Sequence, residues 1–414
     1  MSTSQPTLLL VGGAIEGAGT ECVRLAKEYG FRVVVTETEK QLAAASGVVA
    51  QADLAVPLDR QDAEGHIAWA RRQAERENIT AVYGFREYAV PTTAAVADAL
   101  GVPGNPPAAA RLVRDKYACR ERLRSHGFSQ PRVVRCSSAE DARDFASRFP
   151  GPWVVKPNNA HGSLGVTVVR ESAGFAAAVD ALPAAHRASF LVEEYQRGTE
   201  YSAEGVFIGT DPHVLVLTTK SLLQGTVVEE ELTMPAPLPQ DVAGRARAAV
   251  ESALRAVGLT FGAFHVEFWL DGKDIVLGEV HARPAGAPGG NGMWIPMLES
   301  VTGVNVHRVV FEQLLGREPD LSRPPRAGGA TLRCVFAAPG VVQPGLTAEA
   351  VTADPACLGL HVGVRPGDRV PEILNTSHMP AGLVAVGDSP KHASDNAARL
   401  AKLLSLTTVP ADRA

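Results

Sequence analysis

The chain of 414 residues is too long for one ordinary domain and points to roughly two to four. Apolar residues make up 45% and charged residues 21%, the balance of a globular protein with a substantial core. A net charge of −5 and an isoelectric point near 6.1 exclude the basic bias typical of nucleic-acid binders.

Strand-like and helix-like signals alternate up to about residue 101. "TLLLVGG" (7–13) reads as a buried strand, "GTECVRLAKEYG" (19–30) as a helix closed by Gly30, and "FRVVVTE" (31–37) as the next strand. "DAEGHIAWARRQAEREN" (62–78) is amphipathic, "ITAVYGF" (79–85) is a strand, and "VPTTAAVADALG" (90–101) is a helix ending at Gly101. Such alternation predicts a parallel sheet wrapped by helices. The breaker-rich "VPGNPPAAA" (102–110) places a boundary near residue 108.

"RLVRDKYACRERLRSHG" (111–127) then reads as one helix, and strand signals follow at short intervals: "GPWVVKP" (151–157), "GVTVVR" (165–170), "SFLVEEY" (189–195), "EYSAEGVFI" (200–208) and "HVLVLTTKSLL" (213–223). With a single helix-like stretch among them (172–182), they suggest α+β architecture. A helix over 240–257 precedes "FGAFHVEFWL" and "DIVLGEVHAR", a hairpin around "DGK" (271–273). "WIPMLESVTGVNVHRVVFEQLLG" (294–316) is a helical end, and "LSRPPRAG" (321–328) reads as a second linker. The tail holds the strands "GATLRCVFA", "LGLHVGV" and "AGLVAVG", a "RPGD" turn and the helix "SPKHASDNAARLAKLLS". No internal repeat or low-complexity segment stands out.

The five cysteines (Cys22, Cys119, Cys136, Cys334, Cys357) are scattered without a CxxC, as expected of reduced core thiols. The N-terminus has no positive segment before its apolar run, and no run approaches the ~18 apolar residues of a membrane span. A cytoplasmic protein with no membrane or nucleic-acid partner is expected.

In "VVKPNNAHGSLGVTVV", Lys156 ends a strand, and Gly162 and Gly165 flank a short loop whose backbone N–H groups can turn inward on an anion. The ordinary alternative is an exposed lysine beside a glycine hairpin. In "FLVEEYQRGTEYSAEG", Glu193 and Glu194 end an apolar strand and Glu200 follows a bend; a strand edge there suits adenine and a carboxylate suits ribose hydroxyls. A surface loop of solvated acids fits those residues equally well.

Side chains at every second strand position share a face, so "FHVEFWL" aligns His265, Glu267 and Trp269, and "LGEVHAR" aligns Glu279, His281 and Arg283. Two strand carboxylates facing one space offer the hard oxygens that Mg²⁺ takes, and Arg283 offers a bidentate hold on a phosphoryl oxygen. An exposed cross-strand charge pair is the alternative, weakened by the surrounding Phe, Trp, Val and Leu. The pairing carries a condition. Glu267 and Glu279 share a face of an antiparallel pair only if their connecting loop has an odd number of residues or a bulge shifts the register; a regular two- or four-residue loop points them apart.

Taken together, "RDKYACRERLRSHG", "WVVKPNNAHGSLGV", "FLVEEYQRGTEYSAEG", "TTKSLL", "HVEFWL", "GEVHARPAG" and the "VRPGD" tail resemble the ATP-grasp superfamily, and within it the carboxylate–amine ligases of the L-amino-acid (dipeptide) ligase type. The resemblance spans nearly the whole chain. It implies an α/β and α+β multidomain fold: a Rossmann-like N-terminal domain (1–108), two ATP-grasp subdomains (109–192 and 193–320, the second with the metal site) and a small C-terminal α+β region (321–414). It further implies that Lys116 and Lys156 touch nucleotide phosphates under a lid of His161, Gly162, Ser163 and Gly165. Glu193, Glu194 and Tyr195 would border adenine, Glu200 would reach the ribose, and Lys220 would lie near base or phosphates. Glu267 and Glu279 would hold Mg²⁺, expected as two ions for which Mn²⁺ can substitute, and Arg283 would steady an acyl phosphate.

His281 stands where many relatives carry Asn; an imidazole there can ligate metal or donate to phosphate, although Mg²⁺ prefers oxygen. Arg283, Lys156 and His281 are the expected catalytic groups. "GTVVEEELTMPAPLP" is expected to be a loop whose Glu229, Glu230 and Glu231 are solvated or else face a positively charged acceptor. Glu87 in "GFREYAV" is expected as a structural cap or a group reaching the cleft. The N-terminal "VGGAIEGAG" lacks the G-x-G-x-x-G spacing of a dinucleotide site. The expected activity joins a carboxylate to an amine at the expense of ATP, through an acyl phosphate, on small-molecule substrates, with homodimerisation as the family habit. Rival readings are an ATP-grasp ligase for bicarbonate or a purine-pathway amine, an inactive nucleotide sensor and an NAD-dependent dehydrogenase. The loops around 84–91, 224–238 and 284–295 would set the substrates, and the small residues of "PAGAPGG" would leave room for a sizeable acceptor.

Overall fold

The computed structural model describes residues 5–286 and 292–410, so residues 287–291, within the expected substrate loop, lie outside the described residues. Strands β1 (Thr7–Val11), β2 (Arg32–Glu37), β3 (Leu54–Pro57) and β4 (Ile79–Tyr83) form a parallel sheet in the order β3-β2-β1-β4. β1 is buried along its whole length, as its unbroken apolar run requires of a strand covered on both faces. This is the expected Rossmann-like domain. A later helix fastens it to the rest: Val310, Phe311 and Leu314 of the helix Val306–Leu314 share a core with Leu8, Leu10 and Phe31. At the same contact, Tyr83 Oη lies 2.8 Å from His307 Nδ1.

The expected single helix over 111–127 is two helices, Pro107–Arg114 and Lys116–Ser125. Asp115 breaks it because its extended backbone lets the carboxylate accept the Ala118 N–H at 2.9 Å, an N-cap that restarts the helix. Beyond it, β5 (Val133–Cys136), β6 (Trp153–Pro157), β7 (Thr167–Val169) and β8 (Phe190–Glu194) form an antiparallel sheet in the order β5-β8-β6-β7. The reading above missed β5 and the helix Ala139–Arg148, although Ser138 and Asp141 make the capping box that marks such a start.

The largest sheet has eight strands: β9 (Thr199–Ile208), β10 (Asp211–Leu222), β11 (Glu229–Met234), β12 (Ala263–Asp271), β13 (Asp274–His281), β14 (Gly329–Val335), β16 (Cys357–Val362) and β18 (Ala381–Gly387). Their order is β13-β12-β9-β10-β11-β14-β18-β16, and β15 (Gly340–Val342), β17 (Arg369–Val370) and β19 (Thr408–Val409) form a separate small sheet. One expectation changes here. The acidic segment expected as a loop contains strand β11, in which Glu230 and Glu231 bind Arg333 at 3.2 and 2.6 Å and only Glu229 lines the cavity described below. The tail also adds strands to the ligase sheet, because β14 pairs antiparallel with β11. Among the described residues, no helix is long and apolar enough to cross a membrane, and the five cysteines are free.

The β12–β13 hairpin meets the register condition by the second route. Its loop is the two-residue Gly272-Lys273, with Asp271 opposite Asp274, which by itself would point Glu267 and Glu279 apart. The register shifts between Val266/Val280 and Phe268/Leu277, so that Gly278 and Glu279 together oppose Glu267. Arg120 Nη1 compensates the bulge by donating to the carbonyls of Leu277 and Gly278 at 3.3 and 3.4 Å. A Cβ on Gly278 would lie 2.8 Å from the Glu267 carbonyl oxygen and 2.8 Å from the Trp269 ring. Gly278→Ala should therefore lower stability by about 1–3 kcal/mol and shift Glu279 from its partner. Urea unfolding and Mg²⁺-dependent turnover read the two effects, and an alanine variant normal in both would show that the bulge does not need its glycine.

Candidate active site

The N-terminal domain, the four-stranded antiparallel sheet and the large sheet enclose a cavity of about 800 Å³. All of the expected site residues line it except Gly165, which lies at the back of its loop beside Leu182 and Pro183. At its centre is Glu279, paired with Lys116 and, at 3.2 Å, with Lys156. Lys156 projects from the end of β6 and also holds Glu193 at 3.0 Å. Burial works against the Glu279 carboxylate, but Lys116, Lys156 and His281 outweigh it and hold its pKa well below the usual range. The same balance keeps Lys156 charged, with Glu193 and Glu279 overcoming burial.

Across the bulge, Glu267 accepts from Lys220 at 2.6 Å. Lys220 also reaches Glu200 at 3.0 Å and Glu229 at 3.7 Å, a cage that raises its pKa well above normal despite burial. Glu200 is pushed up to about 7, by burial first and by the Glu267 and Glu229 charges against the pull of Lys220. His265 turns Nδ1 to Glu204 at 3.0 Å and Nε2 to Glu267 at 3.3 Å, and these acids outweigh burial and raise its pKa to about 9. Ring nitrogens of His265 and His281 and a Glu267 oxygen lie within 4.8 Å of one another. A hard divalent ion prefers carboxylate oxygen, so Glu267 and Glu279 are the donors that suit it best, with His281 beside them.

Glu87 is neither cap nor bystander. Its buried carboxylate gathers Arg114, Arg283 and, at 3.0 Å, His281 Nδ1. Burial opposes its charge, yet Arg283, His281 and Arg114 keep its pKa well below normal. Because that carboxylate only accepts, His281 Nδ1 is the donor, which fixes the ring with Nε2 3.4 Å from Glu279. Glu193 lines the cavity, and its carboxylate binds Arg120 Nε and Nη2 at 2.6 and 3.0 Å as well as Lys156. The N–H groups of Glu194 and Tyr195 donate to Arg132 and Pro152 carbonyls. No role for Arg120, Arg114, Glu204 or His265 is evident from the sequence. Arg120 had a signal, since it falls one helical turn after Lys116 on the same face.

The loop 161–165 crosses the cavity mouth. Gly162, Ser163 and Gly165 have φ of 66°, 57° and 70°, the left-handed region that turns backbone amides inward. Ser163 Oγ donates to the Val227 carbonyl at 3.0 Å, and Thr376 Oγ1 donates to the Gly162 carbonyl at 3.1 Å, which pins the loop down. His161 packs against the Tyr88 ring at 5.0 Å and is pushed down to about 4, by burial and then by Arg283. A histidine with a folded pKa below its unfolded value takes up its proton more readily on unfolding, so this stability is present above pH 6.5 and lost as pH falls toward 4. The His161→Gln variant should keep a higher urea midpoint relative to wild type across that window; parallel pH curves for the two proteins would refute the assignment.

Three family models match the chain in order: ATP-grasp N-terminal domain over residues 23–104, ATP-grasp domain over 149–290, and L-amino acid ligase C-terminal domain 2 over 333–409. The chain belongs to the ATP-grasp superfamily. Its C-terminal domain is of the kind found in L-amino acid ligases, so within the superfamily it is of the L-amino acid ligase type. Its fold matches the crystal structure of an L-amino acid ligase from Bacillus licheniformis with a TM-score of 0.80 at 20% identity, over 99% of this chain and 100% of that one. It also matches N5-carboxyaminoimidazole synthase from Aspergillus clavatus, solved with ADP and 5-aminoimidazole ribonucleotide, with a TM-score of 0.73 at 15% identity over 98% and 99%. In sequence, D-alanine–D-alanine ligase of Ralstonia pickettii is 28% identical over 168 residues, 38% of this chain and 50% of that protein. The chain spans about half the length of the first curated relatives it matches.

Proposed function

We propose that the protein is an ATP-dependent carboxylate–amine ligase, releasing ADP and phosphate as it forms an amide between an amino acid or related carboxylate and an amine. The observation that carries this reading is the opposed pair Glu267 and Glu279, brought to one face by the bulge and ringed by Lys116, Lys156 and Lys220. Glu267 and Glu279 would hold Mg²⁺, or Mn²⁺ in its place, and the bound ion would supply charge neutralisation for the nucleotide phosphates. Lys116 and Lys156 bind phosphate oxygens, and the amides of residues 161–165 cover them. Arg283, aimed by Glu87, meets the carboxylate and then the acyl phosphate oxygens, and His281 orients beside Glu279. The carboxylate attacks the γ-phosphorus; the amine then attacks the acyl carbon and expels phosphate. The chain's contribution is positioning, charge neutralisation and exclusion of water.

Glu194 and Tyr195 border the base, and Glu200, close to neutral pKa, hydrogen-bonds the ribose. Incubation with ATP, Mg²⁺ and panels of carboxylates and amines should release ADP only when both substrates are present, with an amide of the summed mass less water. ADP release driven by bicarbonate would favour the rival ligase class; absence of ADP from every mixture would favour a sensor.

A further inference from the structure

The side of the same cavity formed by the N-terminal domain holds a group of charges that the ligase chemistry leaves unused. Arg60 follows β3, Arg86 follows β4 and Glu37 ends β2, so all three stand at the carboxyl edge of the parallel sheet. The strand order β3-β2-β1-β4 reverses direction between β1 and β4, and in open α/β sheets ligands enter the crevice at such a point. Arg86 spans it, donating from Nη1 to the carbonyl of Gly12, just past β1, at 3.4 Å.

Glu37 is fully buried, and a single oxygen, Oε2, takes both guanidiniums: Arg60 at 2.9 Å and Arg86 at 3.1 Å. Its other oxygen accepts the Thr38 N–H at 3.0 Å. One anion between two cations leaves a surplus positive charge, and both arginines, about a fifth exposed, line the cavity. Only Nη1 of each guanidinium is bonded, so Nη2 of each has no protein partner among the described residues. Burial and the neighbouring Arg60 charge depress the Arg86 pKa beyond what Glu37 restores, an environment that favours a further anion. Tyr88 supplies an apolar wall, its ring 5.8 Å from the Arg60 guanidinium carbon and 5.0 Å from that of Arg114.

We propose that Arg60 and Arg86, held by Glu37, bind a carboxylate of the substrate pair other than the one that is activated. The inference rests on the ligase reading and adds a substrate class to it. One surplus charge matches a carboxylate, whereas a phosphate monoester at −1.5 to −2 would exceed it. Two sources share this chemistry: the α-carboxylate of an amino-acid acceptor and the distal carboxylate of a dicarboxylic acyl donor.

The test compares wild type with Arg86→Gln and, separately, Arg60→Gln; each leaves one guanidinium on Glu37, so at least one variant is expected to fold. Steady-state kinetics with amino acids against their amides as acceptors, and with succinate, glutarate and adipate against their half-amides as donors, separates the sources. Each variant should raise KM about 10- to 100-fold for whichever carboxylate form is used, with kcat changed only a few-fold and the neutral analogue unaffected. Equal losses on charged and neutral partners, or no loss, would overturn the proposal. Calorimetric titration of the same acids into all three proteins reads the site without turnover. Arginine-dependent binding in a protein that releases no ADP would keep this site and defeat the ligase reading, and turnover with an unchanged preference for carboxylate would do the reverse.

Discussion

Glu279→Gln should lower turnover by about 10²–10³-fold while changing nucleotide affinity only a few-fold. The substitution keeps shape and removes the charge that a divalent ion needs. Lys156 retains Glu193 at 3.0 Å, so it stays in place for phosphate, and Lys116 gains freedom from a competing carboxylate. Removing that competitor makes metal-free nucleotide bind at least as well, which separates this outcome from simple loss of the pocket. ADP release with both substrates present measures the first quantity, and calorimetric titration of ADP measures the second. Turnover at the wild-type level would remove Glu279 from the metal site.

Arg283→Ala should abolish amide formation, a loss of about 10²–10³-fold or more, with little change in stability. Glu87 keeps Arg114 and His281 when Arg283 is gone, so its buried charge is not left unpaired. What disappears is the guanidinium proposed to face the acyl phosphate. Arg283→Lys should recover only part of the activity, since an ammonium restores charge but not the two-pronged geometry. Amide product assayed by mass spectrometry beside urea unfolding decides the matter: a fully active, normally stable alanine variant would exclude Arg283 from the chemistry.

Much of this site was legible because it lies on strands. Glu267, Glu279, His281 and Arg283 were found by alternation, and Lys156 by its place at a strand end. The register condition was legible too, but not which route would satisfy it, because "DGK" admits several turns and a bulge depends on Arg120, more than 150 positions away, donating to the freed carbonyls. Which of its two expected roles Glu87 takes is not legible for the same reason. In "GFREYAV" it looks like any short acid, and only the arrival of Arg114, His281 and Arg283 from two other segments turns it into a hub.

By itself, the sequence determined the class of each layer: a βαβ beginning, an antiparallel middle and two acids on facing strands. These follow from hydrophobic periodicity, a local property set by which side of an element meets the core. Tertiary structure alone decided that the tail strands would extend the ligase sheet through the β11–β14 pair, and that Glu37, Arg60 and Arg86 would converge at one crevice. Strand pairing and ion pairing join residues by proximity in space. Periodicity along the chain tells which way a side chain points, but not what will be waiting there.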